Sequence, residues 1–230
     1  MARLARVSPL GVPQHIIQRG NNRQVCFARE QDFGAYIGWL KDDSKKYKVD
    51  VHAWVLMTNH VHIICTPQCA NSVSNMMQSI GRQYVRYFNY TYKRSATLWE
   101  GRYKSCLVEA ENYLLHLYRY IELNLVRAGM VHTPSAYKWS NYQINGMGKA
   151  SELCTPHGLY FAIDHSAKDR QLAYRALFKA HVDGALLAEI RNETNKGLAT
   201  GKERFKKEIE ALTGRRMLPA KMGRPPQVCK

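Results

Sequence analysis

Acidic residues are scarce in this chain, and the resulting charge imbalance narrows the class of partner it can bind. Eighteen Asp and Glu stand against 34 Lys and Arg among 230 residues, so the formal net charge is +16. Such an excess favours a polyanion through phosphate contacts and counterion release. Aromatic residues are interleaved with the basic ones, as in proteins that stack on unpaired bases. We therefore expect a nucleic-acid partner, the plainer alternative being a merely basic soluble protein.

Long apolar runs and paired cysteines are also missing. No apolar stretch approaches the length of a membrane span, and the first residues, MARLARVSPLG, lack the apolar core of a signal peptide. The six cysteines are scattered; Cys65 and Cys69 are the only close pair, and no second pair has zinc-ribbon spacing. We expect a cytoplasmic protein with reduced thiols and no membrane association.

The elements that the sequence does contain alternate in a recognisable order. Strands are predicted at 13–20, 49–57, 60–66 and 102–109, and helices at 30–47, 71–94 and 111–129. The order β-α-β-β-α-β with one helix after the fourth strand is that of an α+β, ferredoxin-like fold. In that topology strands 1 and 3 form the centre of an antiparallel sheet.

Near residue 150 the sequence pattern changes from alternating strands and helices to short helices. We expect a main domain over 8–148 and a helical C-terminal extension over 149–214. The segment 215–230 has too few large apolar residues to fold alone and is predicted to be a basic, flexible tail.

Two histidines interrupt the apolar stretch VDVHAWVLMTNHVHIICTP. Side chains alternate along a strand, so His60 and His62 share one face while Val61 lies on the other. Neutral imidazole is the commonest metal ligand in proteins, and this spacing suits a two-histidine site. Half-buried histidines that only hydrogen-bond to backbone fit the same pattern, and the pair alone leaves both readings open.

The predicted helix at 111–129 carries further polar groups at helical spacing. Tyr120 and Asn124 are four residues apart and share a face, with His116 one turn earlier as a possible proton acceptor. Packed beside the central strands, this face would bring a phenol and a carboxamide oxygen to the histidines. Tyrosine can act as a covalent nucleophile. Helical tyrosines are more often packing residues, and spacing does not rank Tyr120 above Tyr113 or Tyr118.

Several basic residues near strand ends, on the second helix and in the tail are candidate phosphate contacts, each of which could equally be a solvated surface charge. In the tail, arginines near GRPP suit entry into a minor groove. The candidates are Arg19, Arg23, Arg82, Arg102, Lys104, Arg215, Arg216 and Arg224.

Three segments, HAWVLMTNHVHIICTP, TLWEGRYKS and YRYIELNLVRAGMV, resemble the REP-associated tyrosine transposase branch of the single-tyrosine HUH, or insertion-sequence-200-like, transposases. The resemblance covers about residues 8–145, and TPHGLY and GRPP are similar as well. It implies that His60 and His62 are metal ligands, that Tyr120 is the nucleophile and that Asn124 supplies a third ligand.

The resemblance also implies a function. A divalent ion, Mg²⁺ or Mn²⁺, would assist cleavage of single-stranded DNA in hairpin-forming palindromic repeats, through a 5′-phosphotyrosine intermediate that permits strand transfer. The protein would act in the bacterial cytoplasm, at the nucleoid, as a monomer rather than a dimer. Two alternatives stay open: a catalytically silent DNA-binding regulator of this lineage, and a metal-dependent phosphodiesterase that attacks with water.

Overall fold

The computed structural model describes residues 6–179 and 184–218, and its sheet has the predicted ferredoxin-like arrangement. The first four strands are β1 (Gln14–Arg19), β2 (Val49–Met57), β3 (His60–Pro67) and β4 (Lys104–Val108). The strand order is β2-β3-β1-β4-β5, and β1 pairs antiparallel with both β3 and β4. The α+β fold class and the central position of strands 1 and 3 are confirmed.

Helices cover both faces of this sheet. On one face lie α1 (Glu30–Lys46) and α2 (Ser72–Thr91), and on the other lies α3 (Ala110–Arg127). No helix within the described ranges is both long enough and apolar enough to cross a membrane.

The alternation of β3 sorts its side chains between two cores. Val61 and Ile63 are fully buried in the core beneath α1 and α2, whereas Ile64 is buried in the core beneath α3. His60 and His62 therefore lie on the α3 face. Gly129 follows two residues after the end of α3, and its φ of +66° is the left-handed conformation that favours glycine after a helix.

Over its described residues, the C-terminal extension contains four helices and, in addition, one short strand that the sequence did not predict. After α4 (Tyr142–Asn145) at the end of the main domain, the extension contains α5 (Gly158–Phe161), α6 (Ala167–Leu177), α7 (Gly184–Lys196) and α8 (Glu203–Thr213). It also contains the short strand β5 (Ala199–Thr200). β5 pairs parallel with β4 and extends the sheet. A two-residue strand has no alternation to detect, and its partner lies about ninety residues away.

The beginning of the predicted tail is packed against this added strand. Met217 is fully buried with Leu107, Ala199 and Ile209, and Arg215 Nη2 donates to the carbonyl oxygen of Gly197 at 2.6 Å. Residues 219–230 of that segment lie outside the described residues.

A buried carboxyl group links α3 to the extension. Glu122 is fully buried and accepts a hydrogen bond from the hydroxyl of Tyr174 on α6, at 3.0 Å. Burial raises the pKa of Glu122 well above its usual value, and the Tyr174 bond only partly opposes this. The carboxyl group is therefore held in its neutral form in the folded state.

Glu122→Gln should stabilise the protein at neutral pH. The pKa of Glu122 is higher in the folded state than in the unfolded state, so wild-type stability falls as pH rises above about 4.5, by up to about 1.4 kcal/mol per pH unit until the folded pKa is passed. The neutral amide removes this dependence. Thermal unfolding should show a larger gain at pH 8 than at pH 5, and the exposed Glu111→Gln on the same helix serves as the control. Equal effects at the two pH values would contradict the assignment.

Candidate active site

β3 and α3 bring together the four side chains whose types suggest chemistry. The rings of His60 and His62 are 4.9 Å apart between centroids. The ring of Tyr120 meets that of His62 edge-on, at 6.0 Å, and Asn124 Nδ2 lies 3.2 Å from His62 Nε2. Side chains from two segments about sixty residues apart in the chain thus form one cluster.

The structure ranks the tyrosines of α3. Tyr120 contacts His62 through its ring and is nearly buried. Tyr118 is fully buried in the core beneath α3, which raises the pKa of its phenol well above its usual value. Tyr113 is half-buried. Its burial and, second, the negative charges of Glu189 and Glu109 raise the pKa of its phenol. Tyr120 is the one of the three placed against the histidine pair.

His116, the possible proton acceptor, is exposed on the surface of α3. Partial burial and, second, the charge of Arg119 lower its pKa. Tyr120 one turn later is nearly buried, so the two side chains have quite different environments.

Hydrogen bonds at Nδ1 orient both histidine rings. His60 Nδ1 lies 2.6 Å from Asn59 Oδ1, and that amide donates its own nitrogen to the carbonyl oxygen of Arg23 at 3.3 Å. His62 Nδ1 lies 2.9 Å from Nε2 of a third histidine, His15 on β1. With Nδ1 of His60 donating to an oxygen that only accepts, its Nε2 keeps a lone pair.

All three histidines are held neutral. Burial, and then the charge of Arg19, lowers the pKa of His60 to about 4. Burial, and then His60, lowers the pKa of His15 to about 3. Burial also lowers the pKa of His62 well below its usual value, with smaller contributions from His60 and His15. Neutral imidazole is the form that binds metals.

Arg127, one turn beyond Asn124, was not among the sequence candidates. Its Nη2 donates to the carbonyl oxygen of Tyr120 at 2.5 Å and to Asn124 Oδ1 at 2.8 Å. Its guanidinium carbon lies 5.3 Å from the centroid of the Tyr120 ring. A cation over this ring stabilises negative charge that develops on the phenol.

The donor set fits a small divalent ion only if Asn124 takes part. Within the described part of the chain, no group of three or more His, Cys, Asp and Glu is placed to hold a metal. A half-turn of the Asn124 amide puts its oxygen where its nitrogen now lies, 3.2 Å from His62 Nε2. Two ligands about 2.1 Å from an octahedral ion are about 3 Å apart. The imidazole pair and the amide oxygen are therefore compatible with Mg²⁺ or Mn²⁺.

A basic cleft of about 450 Å³ opens beside these residues, between β1, β4 and α7. Four of the sequence candidates for phosphate contact line it, namely Arg19, Arg102, Lys104 and Arg215. Arg6 and Lys196 add positive charge, and Glu100 is the acidic residue of the lining. The guanidinium of Arg6 lies 3.9 Å above the ring of Tyr103, also in the wall. Basic residues far apart in the chain, from Arg6 to Arg215, thus form one positively charged surface.

The other candidates for phosphate contact lie elsewhere. Arg23 is exposed in a short 3₁₀ turn after β1. Arg82 is exposed on α2, across the sheet from the histidines. Arg216 is exposed and donates through Nε to the carbonyl oxygen of Leu218 at 3.2 Å. Arg224 lies outside the described residues.

His15 is the main site residue that sequence reasoning missed. The signal was present, because His15, Ile17 and Arg19 alternate along the first predicted strand and must share a face. Which face that is depends on the register with β3, in which Ile17 lies opposite His62 and Arg19 opposite His60. A single sequence does not reveal that register.

Acidification should destabilise the protein between pH 6.5 and about 4. The pKa values of His15, His60 and His62 are lower in the folded state than in the unfolded state, so the unfolded state takes up protons first as pH falls. Each group adds at most about 1.4 kcal/mol per pH unit. Urea denaturation at pH 5, 6 and 7 gives the change of the unfolding free energy with pH. In His60→Gln this change should be smaller, by the equivalent of about one bound proton. The exposed His165→Gln is the control; an unchanged slope in His60→Gln would refute the assignment.

Comparisons with known proteins place the fold and the cluster in context. The sequence profile described as IS200-like transposase matches residues 11–124, a span that contains His60, His62, Tyr120 and Asn124. No protein of curated function matches the sequence significantly.

Two solved structures are similar to this chain. A REP-associated tyrosine transposase bound to a REP hairpin is 17% identical, with a TM-score of 0.53, over 69% of this chain and 96% of that one. A candidate transposase from Deinococcus radiodurans R1 is 20% identical, with a TM-score of 0.37, over 53% of this chain and 96% of that one. The profile match shows that the chain belongs to the IS200-like transposase family, and the REP-associated structure shows that the fold is shared.

Proposed function

We propose that this transposase is a metal-dependent endonuclease and strand transferase for single-stranded DNA, of the REP-associated branch, and that hairpins of palindromic repeats are its substrate. The observation that carries the proposal is the contact of Tyr120 with His62, beside His60 and Asn124, in a member of this family. The related solved transposase is described as bound to a REP hairpin, which supports the choice of substrate.

In the proposed reaction, the phenol of Tyr120 releases its proton to water and its oxygen attacks the scissile phosphorus. The bond from phosphorus to the 3′ oxygen breaks, that oxygen takes up a proton as a 3′-hydroxyl group, and a 5′-phosphotyrosine bond remains. The number of phosphoester bonds is unchanged, so a 3′-hydroxyl can attack the phosphotyrosine and rejoin DNA without an external energy source. This reversibility is what distinguishes strand transfer from hydrolysis.

The surrounding residues supply positioning and charge. Mg²⁺ or Mn²⁺, held by His60, His62 and Asn124, would neutralise charge on the scissile phosphate. Arg127 places positive charge over the Tyr120 ring. It also binds the amide oxygen of Asn124, and the half-turn that offers this oxygen to the metal would break that bond. The packing of Tyr120 against His15 and His62 fixes the direction of its phenol before DNA arrives.

The basic cleft is the proposed path of the DNA strand. It is bounded by β1, the strand that also carries His15, and Thr194 both lines the cleft and contacts His15. A positive groove with an aromatic wall suits the backbone and bases of a single strand. Arg102 and Lys104, on the β4 side, would contact phosphates.

Two other functions are less well supported. A catalytically silent regulator would have no need for the Tyr120–His62–Asn124 arrangement, which is complete here. A phosphodiesterase that uses water would have no need for a tyrosine packed against the histidines. The proposed monomeric state is a separate prediction that the site does not address.

Tyr120→Phe should abolish cleavage and adduct formation. The substitution removes the attacking oxygen and keeps the ring packed against His62. The measurement is denaturing electrophoresis of the protein with 5′- and 3′-labelled single-stranded hairpins and Mn²⁺. Wild type should give a denaturation-resistant adduct carrying the downstream DNA fragment, and His60→Ala should not.

Tyr113→Phe on the same helix is the matched control and should keep full activity. Cleavage that forms no adduct, and that continues in Tyr120→Phe, would establish the phosphodiesterase instead. Hairpin binding by wild type with no cleavage under any divalent ion would favour the regulator.

Replacing Arg102 and Lys104 together by Gln should weaken DNA binding and its dependence on salt. Each lost phosphate contact lowers the slope of log K against log salt by about 0.7 for single strands, so the double variant should lose about 1.4. Fluorescence anisotropy with a labelled oligonucleotide across a salt series measures this. Arg82→Gln, across the sheet on α2, should leave the slope unchanged. An equal loss in both variants would show that net charge, not the cleft, binds the strand.

A further inference from the structure

We propose that Thr194 of the C-terminal extension and His15 of β1 form a hydrogen-bonded relay that sets the tautomer of His62. The relay keeps Nε2 of His62 unprotonated, so that its lone pair can bind a metal. The inference rests on the proposed role of His62 as a metal ligand. It gives the extension a part in building a site whose proposed nucleophile and metal ligands, Tyr120, His60, His62 and Asn124, all lie in the family-matching span.

The relay begins at a backbone carbonyl group in α7. The hydroxyl of Thr194 donates to the carbonyl oxygen of Ile190 at 2.7 Å. A carbonyl oxygen only accepts, so the single hydroxyl hydrogen of Thr194 is committed to it. Towards His15 Nδ1, 3.3 Å away, Thr194 Oγ1 is then an acceptor. His15 must carry its hydrogen on Nδ1.

The next two bonds follow from the first. A neutral imidazole with hydrogen on Nδ1 has an accepting Nε2. His15 Nε2 lies 2.9 Å from His62 Nδ1, which must therefore donate. His62 Nε2 is left with its lone pair, directed at the Asn124 amide 3.2 Å away. The direction of every bond is thus determined by one carbonyl group of the extension.

The relay is rigid because its members are buried. His15 is fully buried and Thr194 is 1% exposed. The His15 and His62 rings are within 10° of parallel, and the Tyr120 ring meets His15 edge-on. Cys106 Sγ on β4 lies 3.2 Å from Thr194 Oγ1 and occupies its remaining side. Outer partners of this kind fix ligand tautomers in metal sites, and their loss typically costs 10–100-fold in affinity or activity.

The two proposed imidazole ligands are therefore oriented by different means. His60 is oriented by its chain neighbour Asn59, so that contact forms wherever this turn forms. His62 is oriented through β1 and α7, across 47 and then 179 residues of sequence. Only His62 depends on the extension being docked.

The chain offers a matched control pair. His52 on β2 is also buried, with Nδ1 2.7 Å from the carbonyl oxygen of Thr155 and Nε2 2.7 Å from Thr66 Oγ1. Thr66 is four residues beyond His62 on β3, about 13 Å along the strand. Thr66→Val thus removes a buried threonine–histidine bond without touching the relay.

The test measures the His62 tautomer and the binding of Mn²⁺ in the full chain without DNA. Imidazole signals are recorded by NMR on protein with ¹⁵N-labelled histidine, the His62 signals being assigned by their loss in His62→Gln. Mn²⁺ affinity is measured by calorimetry. The variants are His15→Phe, which keeps a ring without nitrogen, Thr194→Val, Thr194→Ser and Thr66→Val.

Wild-type His62 should be protonated at Nδ1 only. His15→Phe should give mixed tautomers and weaken Mn²⁺ binding about 10–100-fold. Thr194→Val should also give mixed tautomers and weaken Mn²⁺ binding, by a smaller factor. Thr194→Ser keeps the hydroxyl group and should match wild type in both measurements. Thr66→Val should leave both readouts unchanged. Thr194→Val retains size and shape, so it carries the test if His15→Phe does not fold.

An unchanged His62 tautomer in Thr194→Val would overturn the relay, as would an equal loss of Mn²⁺ affinity in Thr66→Val. Failure of wild type to bind Mn²⁺ would instead remove the metal from the proposed function. The tautomer comparison would still decide whether the relay exists, so the two failures are distinguishable.

Discussion

The antiparallel pairing of β1 with β3 is the constraint on which the rest of the site depends. Its register sets Ile17 opposite His62 and Arg19 opposite His60, so His15 becomes a diagonal neighbour of His62. A slip of one residue would move every side chain of β1 to the other face and place His15 among the apolar residues beneath α1 and α2. The buried residues on both faces of these strands make such a slip costly.

Around this pairing lie neutral histidines, with positively charged arginines beside them. Burial keeps the histidines uncharged, while Arg19 and Arg127 lie at the edges of the cluster. Neutral imidazoles do not repel a cation, and the surrounding arginines attract a phosphate. The arrangement costs stability in acid and prepares the site for an anionic substrate in advance of binding.

The C-terminal extension is integrated with the main domain. β5 lengthens the sheet at β4, and Tyr174 holds α3 through the buried Glu122. α7 supplies one wall of the basic cleft and the Thr194 contact to His15. These contacts connect the extension to the strand, the helix and the surface that the proposed chemistry requires. A change in how the extension packs would therefore alter the cleft wall and the contact to His15.

The sequence by itself determined the four main strands, the three long helices, their ferredoxin-like order and the shared faces of His60 with His62 and of Tyr120 with Asn124. These follow from local periodicity, which depends only on near neighbours in the chain. Helical spacing did not separate Tyr120 from Tyr113 and Tyr118; the family resemblance implied Tyr120, and the tertiary structure places its ring against His62. Tertiary structure alone decided the fifth strand, the separation of the cleft arginines from Arg82, and the place of His15 beside His62. Each of these depends on register or docking between distant segments, and no local pattern encodes that.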